Sequence, residues 1–378
     1  MSAARDCMLA ARRFDWRMRR FARTLLGATR TTYVGERTRE YHGYWNDAAK
    51  KLRATVHPLV EGVWEIRRDE RRIRIANHVV PIDDPVTLRL AGDKAYCYQR
   101  AAALGLPVTE HLAFRLHQVD RAWAFMQSRG GAFVVKPASG TSSGMGISTG
   151  VRTRRHLHGA AALASLYGDE LLIEAMVPAE SCRLLYLDGT LIHAVRRRGV
   201  RVVGDGRASI EALLRHRGLA RLVADPATAT TLAAQGLSLS TCLGMGVTRV
   251  VRYLPENEPF MQEQRTVYNE VITSRISPEL ARGVGAMVRD LGSRFAGVDV
   301  LTNDPGTPLR TSGGVFLEIN TTPAIHHHYI GPAQEAHPVA VQVLRYLLER
   351  CEVPTAEPAR ESQSTARRTE WARQTALS

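Results

Sequence analysis

The sequence has 378 residues, of which 44% are hydrophobic and 23% are charged. These values exclude a wholly disordered or collagen-like chain, and the length leaves room for roughly two to three domains. Lys and Arg number 51 against 37 Asp and Glu, which gives a formal net charge of +14. The excess indicates either anionic partners, such as nucleic acid, anionic lipid or acidic and phosphorylated small molecules, or a compositional bias towards Arg. Only four of the cations are Lys, namely Lys50, Lys51, Lys94 and Lys136.

The five cysteines are odd in number, lie far apart and form no C-x-x-C pair. This pattern argues against a disulfide framework or a zinc knuckle and is typical of a reducing compartment. No apolar stretch approaches the ~18 residues that a membrane span needs. The sequence therefore predicts a cytoplasmic protein.

Residues 1–30 form a basic amphipathic stretch with eight Arg and two Asp. Phe14, Met18, Phe21 and Leu25 recur at i, i+4, i+7 and i+11, which places them on one face of a predicted helix. Such a helix either contacts a membrane surface or another anionic partner, or packs on the body of the protein through its apolar face. Of the two, we expect packing.

The remaining chain is predicted to alternate helices and strands, followed by a Ser-, Thr-, Arg- and Glu-rich disordered tail. The predicted helices cover residues 39–56, 93–104 (capped by Asp93), 153–167, 208–216, 223–235, 278–295 and 337–350. The predicted strands cover 63–80 as a hairpin, 132–136, 171–174, 183–197 as two strands about Asp188-Gly189, 298–302 and 315–319. The predicted domains are residues 1–30, a small N-terminal α/β region at 31–90, a main domain at 91–352 with a subdomain at about 110–180, and the tail at 353–378.

The segment FVVKPASGTSSGMGIS, residues 133–148, places a strand directly before a loop of small and hydroxyl residues. Backbone N–H groups and hydroxyls of such a loop can donate to phosphate oxygens, and Lys136 would add a mobile positive charge. It is not a Walker A loop, because the Lys precedes the glycines. An ordinary Gly/Ser turn is the alternative. The candidate phosphate-binding residues are Lys136, Ser139, Gly140, Thr141, Ser142, Ser143 and Gly144.

Two further strands, within residues 297–323, end in oxygen-bearing side chains. Asp299 lies on the first strand, and Glu318 and Asn320 share one face of the second by the strand period of two. Hard oxygen ligands suit Mg²⁺, so the three residues are candidate metal ligands. Solvated strand ends are the alternative.

Charged residues also mark segments 172–189 and 194–210, which contain Glu174, Arg183 and Arg197. The second segment continues into Gly204-Asp205-Gly206 before a predicted helix. Taken alone, either segment could equally be a surface hairpin with solvated charges.

Five segments occur in the order seen in ATP-grasp carboxylate–amine ligases: DKAYCYQRAAALGLPV, VVKPASGTSSGMGI, IEAMVPAESCRLLYLDG, RRRGVRVVGDG and GVDV…LEINTTP. The chain resembles that family over about residues 85–350, and most of all the ATP-grasp module of cyanophycin synthetases. No segment resembling the Mur-ligase module of those enzymes follows. The resemblance implies an α/β (α+β) ATP-grasp fold, in which two subdomains grip ATP. It also implies an ATP-dependent ligase that forms an amide or peptide-like bond through an acyl phosphate.

The resemblance also implies roles for individual residues. Lys94 and Lys136 would hold the ATP phosphates under a Gly-rich lid at residues 138–146, and Arg183 and Arg197 would lie near the phosphates and the intermediate. Relatives usually have a Gly and, two residues later, an acidic residue that binds the ribose, but this chain has Ala179 and Ser181 there. The neighbouring Glu180 would therefore bind the ribose instead. The adenine hinge would be Glu174, Ala175, Met176 and Val177, and the Mg²⁺ (or Mn²⁺) ligands would be Asp299, Glu318 and Asn320.

Residues 260–273 depart from the family's usual Gly-Gly loop, so the substrates of the relatives do not transfer directly. His326-His327-His328 has poor spacing for one metal ion and is expected to line a pocket or to support structure. The expected partners are a small carboxylate and a small amine, such as amino acids or short and acidic peptides. Assembly into a homo-oligomer is left open. Binding of nucleic acid is not expected. Two alternatives stay open: a glutamate ligase acting on a protein terminus, and a basic nucleic-acid- or membrane-binding protein with a degenerate ATP site.

Overall fold

The computed structural model describes residues 2–25, 32–139, 145–198, 200–224, 226–233, 235–252, 268–329 and 339–350. The chain divides into two compact units. The first unit comprises Met1–Tyr41 and Ile82–Val339, and the second comprises His42–Pro81 and Ala340–Ser378. The predicted disordered tail and most of the Gly-rich loop lie outside the described residues.

Helices and strands alternate through most of the described chain. The helices are α1 (Ser2–Leu25), α2 (Thr32–Lys51), α3 (Pro85–Ala91), α4 (Lys94–Ala103), α5 (Val119–Arg129), α6 (Arg154–Ala164), α7 (Ile210–His216), α8 (Pro226–Ala233), α9 (Pro278–Asp290), α10 (Leu309–Ser312) and α11 (Val339–Arg350). The strands are β1 (Thr55–Val60), β2 (Val63–Arg68), β3 (Arg71–Ala76), β4 (His111–Arg115), β5 (Phe133–Pro137), β6 (Ser148–Val151), β7 (Glu170–Ala175), β8 (Ser181–Leu187), β9 (Thr190–Arg198), β10 (Val200–Val203), β11 (Thr248–Arg252), β12 (Tyr268–Val271), β13 (Phe295–Leu301) and β14 (Val315–Thr321).

The second unit contains a three-stranded antiparallel sheet in the order β1-β2-β3. Its β2–β3 turn passes through Asp69 at a φ of +55°, which confirms the predicted hairpin. Trp45 is fully buried, and its indole N–H donates to the Asn77 carbonyl over 2.7 Å. Residues 340–350 of α11 belong to this unit, although the predicted main domain included them.

A five-stranded antiparallel sheet, in the order β12-β9-β8-β13-β14, forms the centre of the first unit. Its buried apolar residues share one core with α4 and α9. The Asp93 carboxylate accepts the Tyr96 N–H at the start of α4, and the helix ends before Gly105 at a φ of +79°. The predicted capped helix is therefore confirmed.

A second sheet of the first unit has four antiparallel strands in the order β4-β7-β5-β6. Its apolar side packs on α5 and α6 around Phe114, Phe133 and Leu157, all nearly inaccessible to solvent. The strands lie between residues 111 and 175, inside the segment predicted as a subdomain at about 110–180.

The strands β10 and β11 form a small sheet of their own, which packs with α7 and α8. The Asp205 carboxylate accepts the N–H groups of Arg207 and Ala208, so the Gly-Asp-Gly segment turns into α7 as expected. A Cβ at Gly204 would stand 2.4 Å from the Gly244 carbonyl oxygen, which explains why this turn needs a glycine.

Helix α1 packs on the body of the first unit, as expected, but Phe14 and Met18 of the predicted apolar face do not take part. The side chains of Phe21 and Leu25 lie outside the described part of the helix. Phe14 and Met18 are 64% and 46% exposed, whereas Leu9 is buried against Leu157 of α6 and its neighbours. The Arg13 guanidinium donates to the carbonyl of Ser165, the residue that caps α6. Carbonyls at a helix C-terminus attract cations, so Arg13 is held on the α6 side of α1 beside Leu9, whereas Phe14 and Met18 are exposed. None of the described helices is long and apolar enough to cross a bilayer.

Two glycines of α9 provide a matched test of the fold. A Cβ at Gly285 would stand 2.5 Å from the Gly189 carbonyl oxygen, whereas a Cβ at Gly283 would meet only Leu106 at 3.4 Å. Gly283→Ala is expected to raise the free energy of unfolding by up to about 1 kcal/mol through helix propensity. Gly285→Ala is expected to lower it by about 1–3 kcal/mol, because backbone must shift. Thermal unfolding midpoints measure both, and equal midpoints would contradict the close packing at Gly285.

Candidate active site

Lys136 and Glu174 form a buried ion pair between adjacent strands of the four-stranded sheet. Glu174 on β7 lies opposite Val134 of β5, so Lys136, two residues further, projects from the same face. The Lys136 ammonium is 2.7 Å from Glu174 Oε1 and donates over 3.0 Å to the Tyr98 hydroxyl. That hydroxyl in turn donates to Glu174 Oε2 over 2.7 Å. Thr109 completes the cluster by donating to the same oxygen over 3.3 Å.

The ion pair decides the charge state of Lys136. Burial on its own would lower the pKa of this ammonium, but the charge of Glu174 and the hydrogen bonds outweigh it and hold the pKa above its usual value. Burial also raises the pKa of Tyr98, so its hydroxyl keeps its proton and donates to Glu174. Lys136 is therefore a cation with two of its three donors directed at Glu174 and Tyr98.

Lys94, the first residue of α4, lies close to the end of β5. Its backbone N–H donates to the Ala138 carbonyl over 3.1 Å, which ties α4 to the segment that follows Lys136. Its side chain is buried, and this burial lowers the pKa of the ammonium against the opposing effect of Glu318. The side chains of Lys94 and Glu318 line one cleft of about 110 Å³. Its other lining residues are Ala91, Gly92, Cys97, Ile319, Asn320 and Thr321.

A row of charged side chains crosses one face of the five-stranded sheet. Arg183 on β8 lies opposite Asp299 on β13, which lies opposite Glu318 on β14. Arg197 joins the same face, since its strand neighbour Val195 is the partner of Arg183. The Arg183 guanidinium donates to both Asp299 oxygens, over 2.7 and 2.6 Å, and Arg197 lies 3.8 Å from one of them.

These cations keep Asp299 ionised. Burial alone would raise the pKa of this carboxyl group, but the charges of Arg183 and Arg197 and the hydrogen bonds from Arg183 hold it well below its usual value. Bidentate Arg–carboxylate pairs are among the strongest and most directional polar contacts. The predicted metal ligand is thus a fixed anion rather than a solvated strand end.

The three predicted metal ligands fit a hard cation. Asn320 donates from Nδ2 to Glu318 Oε1 over 3.3 Å, which leaves the amide oxygen of Asn320 as its acceptor atom. A carboxylate has about four lone-pair sites, so Asp299 can bind a cation while it accepts from Arg183. Opposite residues of a sheet place their Cβ atoms about 5 Å apart, so Asp299 and Glu318 can share one ion.

The predicted adenine hinge, residues 174–177, includes the last two residues of β7 and the two that follow. The N–H groups of Ala175 and Met176 donate to the carbonyls of Glu110 and Ala132 over 2.9 and 2.8 Å. The Val177 carbonyl accepts from Ala179 N–H over 2.9 Å, whereas the Val177 N–H has no acceptor in the described part of the chain. A backbone donor in this position is the group that a purine base would need.

Glu180, the predicted ribose ligand, is already paired. Its carboxylate accepts from Arg196 over 2.8 Å and lies 3.6 Å from Arg201. Its backbone is fixed as well, because its N–H donates to Asn303 and its carbonyl accepts from Thr302. A ribose hydroxyl would have to share this carboxylate with two guanidinium groups, so the role of Glu180 stays a prediction.

Ser139 lies two residues past the end of β5 and is exposed. The other predicted loop ligands, Gly140, Thr141, Ser142, Ser143 and Gly144, lie outside the described residues. Gly146, just after the loop, has a φ of +74°, and a Cβ there would stand 2.7 Å from the Tyr167 ring. A side chain at this position would therefore need Tyr167 to move.

Sequence reasoning singled out His326-His327-His328 but missed their contact with His193. His193 Nδ1 lies 2.7 Å from His328 Nδ1, and His326 Nδ1 lies 2.8 Å from the Tyr41 hydroxyl. Burial, followed by the charges of neighbouring groups that include Arg183 and Arg197, holds the pKa of His327 and of His328 well below its usual value. The described residues contain no group of three or more His, Cys, Asp or Glu side chains that could hold a metal. The triple-His run was the only signal, since His193 is 135 positions away from its partner.

One sheet carries the buried Lys136, and the other carries Asp299 and Glu318 on adjacent strands. This arrangement is the architecture of an ATP-grasp enzyme, and known proteins similar to this chain support the same family. Over 260 residues the chain is 25% identical to cyanophycin synthetase of Trichormus variabilis, a match covering 65% of this chain and 28% of that enzyme. Over 214 residues it is 30% identical to the D-alanine–D-alanine ligase of Gloeobacter violaceus, covering 54% of this chain and 68% of the ligase. The chain belongs to the ATP-grasp ligase family.

The fold agrees with this assignment. A bifunctional glutathione synthetase from Pasteurella multocida superposes with a TM-score of 0.57 at 18% identity, covering 80% of this chain and 44% of that one. The predicted ATP-grasp fold is thereby confirmed. No protein-family model matches the chain. The match to cyanophycin synthetase spans less than a third of that enzyme's length.

Removing one partner of the Lys136–Glu174 pair tests its structural weight. Lys136→Met is expected to lower the free energy of unfolding by about 3–5 kcal/mol, because it leaves a buried carboxylate without its cation. The double variant Lys136→Met/Glu174→Met should recover much of that loss, since an apolar pair of similar volume needs no counterion. Urea denaturation measures both, with Lys51→Met at an exposed lysine as control. A single variant as stable as the wild type would refute the pairing.

Proposed function

We propose that this chain is an ATP-dependent ligase that joins a carboxylate to an amine through an acyl phosphate and releases ADP and phosphate. One observation carries the proposal: the buried Lys94 ammonium shares a cleft with Glu318 and Asn320. Phosphoryl transfer from ATP needs cations at the phosphates and oxygen ligands for a divalent metal, and this cleft offers both kinds of group.

The reaction has to make a carboxylate reactive. A carboxylate and an amine do not condense at neutral pH, because the carboxylate lacks a leaving group. Transfer of the γ-phosphoryl group to the carboxylate supplies one, and attack by the amine then expels phosphate. This chemistry requires positioning, charge neutralisation and exclusion of water, but no side-chain nucleophile.

The charged residues divide these tasks. Lys94 and Lys136 would bind the phosphates, and Ser139 with residues 140–144 would cover them and keep water out. Arg183 and Arg197, on the same sheet face as Asp299, would neutralise charge that develops on the transferred phosphoryl group and the acyl phosphate. The nucleoside would lie at the hinge, with Val177 N–H reading the adenine and Glu180 the ribose.

Asp299, Glu318 and Asn320 would hold the Mg²⁺, or Mn²⁺, that accompanies ATP. When bound, the metal neutralises phosphate charge and orients the γ-phosphoryl group. Arg183 keeps Asp299 ionised and fixed in rotation, so the carboxylate is prepared for a cation before one arrives.

The substrates would be small: amino acids or short peptides, possessing one reacting carboxylate and one reacting amine. The Gloeobacter relative supports this class, because its name specifies D-alanine for both substrates. The net charge of +14 adds attraction for acidic members of the class. We further propose that the enzyme acts in the cytoplasm, as an acid–amino-acid ligase.

A substrate screen with purified protein tests the activity. ADP and phosphate should appear only when a suitable carboxylate and amine are both present, whereas release of AMP would contradict the proposed chemistry. Lys94→Ala and Lys136→Ala are each expected to lower kcat/KM by at least about 100-fold, since each removes a cation from the phosphates. Lys51→Ala, at an exposed lysine, should leave activity unchanged. Full activity in both site variants would place the phosphates elsewhere.

Metal removal tests the carboxylate row. EDTA should abolish turnover and excess Mg²⁺ should restore it. Glu318→Gln is expected to raise the Mg²⁺ concentration for half-maximal activity by about tenfold or more, because an amide is a weaker ligand than a carboxylate. Glu279→Gln, at an exposed position on α9, serves as the matched control. An unchanged Mg²⁺ requirement in Glu318→Gln would remove this residue from the metal site.

A further inference from the structure

Helix α1 presents an apolar face to solvent. Successive residues of a helix are about 100° apart, so Phe14 and Met18 lie about 140° and 180° around the axis from Leu9. Leu9 is the residue that α1 buries against α6, whereas Phe14 is 64% and Met18 is 46% exposed. Three smaller exposed residues complete this outward face: Cys7, Ala10 and Ala11.

The rotation of α1 about its axis is fixed by contacts on the opposite side. Leu9 enters the apolar core around α6, and Arg13 donates to the Ser165 carbonyl over 3.1 Å. The Arg12 guanidinium lies over Gly159, so close that a Cβ there would stand 3.2 Å from Nη1. Because Leu9, Arg12 and Arg13 face α6 together, Phe14 and Met18 cannot turn inwards without breaking all three contacts.

We propose that this face docks the protein on an anionic lipid surface, with α1 lying in the plane of the membrane. Phe14 and Met18 enter the boundary between headgroups and acyl chains, and exposed Arg17 lies at the edge of the face, where it meets the headgroups. A helix with an apolar face and an Arg-rich remainder is the type that binds such interfaces. The proposal is independent of the ligase activity.

Charge selects this occupant over the others. Residues 1–30 contain eight Arg and two Asp, so an anionic surface attracts them. A second copy of α1 on the same face would bring two segments of net charge +6 together. Nucleic acid would use the arginines but would leave Phe14 and Met18 in water. An anionic lipid surface satisfies both the charge and the apolar face.

Co-sedimentation of the full-length protein with lipid vesicles tests the proposal. The protein should bind phosphatidylcholine vesicles that contain phosphatidylglycerol, and added salt should weaken binding because it screens the headgroup charge. Phe14→Ser/Met18→Ser should lower the partition coefficient by at least about tenfold, since two apolar side chains no longer leave water. The control variant Val86→Ser/Met245→Ser, at two other exposed apolar residues, should bind like the wild type.

Because all four substituted positions are exposed, we expect both variants to have the thermal unfolding midpoint of the wild-type protein. Vesicle binding is compared after this has been measured. Absence of wild-type binding, binding that survives Phe14→Ser/Met18→Ser, or equal binding to phosphatidylcholine alone would each overturn the proposal. A dimer of the wild-type protein, seen by analytical ultracentrifugation and lost in Phe14→Ser/Met18→Ser, would also overturn the proposal if the wild-type protein did not bind vesicles. That result would assign the face to a second copy of the chain.

Discussion

Asp299 is a buried carboxylate in the middle of a sheet, and much of the site is arranged by the need to neutralise it. An unpaired charge in this position would cost several kcal/mol, so Arg183 on the neighbouring strand is held in one rotamer with both oxygens engaged. Arg197 approaches from β9, and Glu318 stands opposite on β14. One desolvated anion thus aligns candidate site residues on four neighbouring strands of the sheet.

The four-stranded sheet follows the same logic with the signs exchanged. There the buried charge is the Lys136 ammonium, which contacts Glu174 and Tyr98, and Thr109 donates in turn to Glu174. Tyr98 belongs to α4, whose first residue is Lys94, so this cluster also connects the four-stranded sheet to the helix that lines the cleft. The charged groups that would handle ATP therefore double as cross-links between the elements that bear them.

Local signals were sufficient for most elements, and they also supplied the candidate site residues, whose roles stay predictions. Asp93 before α4, the Asp188-Gly189 turn and the strand that ends at Lys136 each depend on neighbours within a few residues, and all were found. The order of the motifs then supplied the family. The Lys136–Glu174 and Arg183–Asp299 pairs were not predictable, because each depends on the register between strands distant in sequence.

Errors arose where long-range packing overrides a local pattern. The periodicity of α1 correctly gave an apolar face, but not the direction of that face, which Ser165 and Gly159 of another segment decide. Similarly, α11 has an ordinary amphipathic pattern, yet residues 340–350 join the small unit around Trp45. Glu180 stays a predicted ribose ligand, but its ion pair with Arg196, sixteen positions away, could not be foreseen from its neighbours in the sequence.

The pairing of Lys136 with Glu174 has a chemical consequence for an enzyme that forms amides. An acyl phosphate reacts with any neutral primary amine within reach, and a lysine near the phosphates is such an amine once it loses its proton. Glu174 holds Lys136 in its protonated form, so the nitrogen has no lone pair to attack with. Under the proposed chemistry the ion pair therefore keeps Lys136 itself from being acylated by the activated carboxylate.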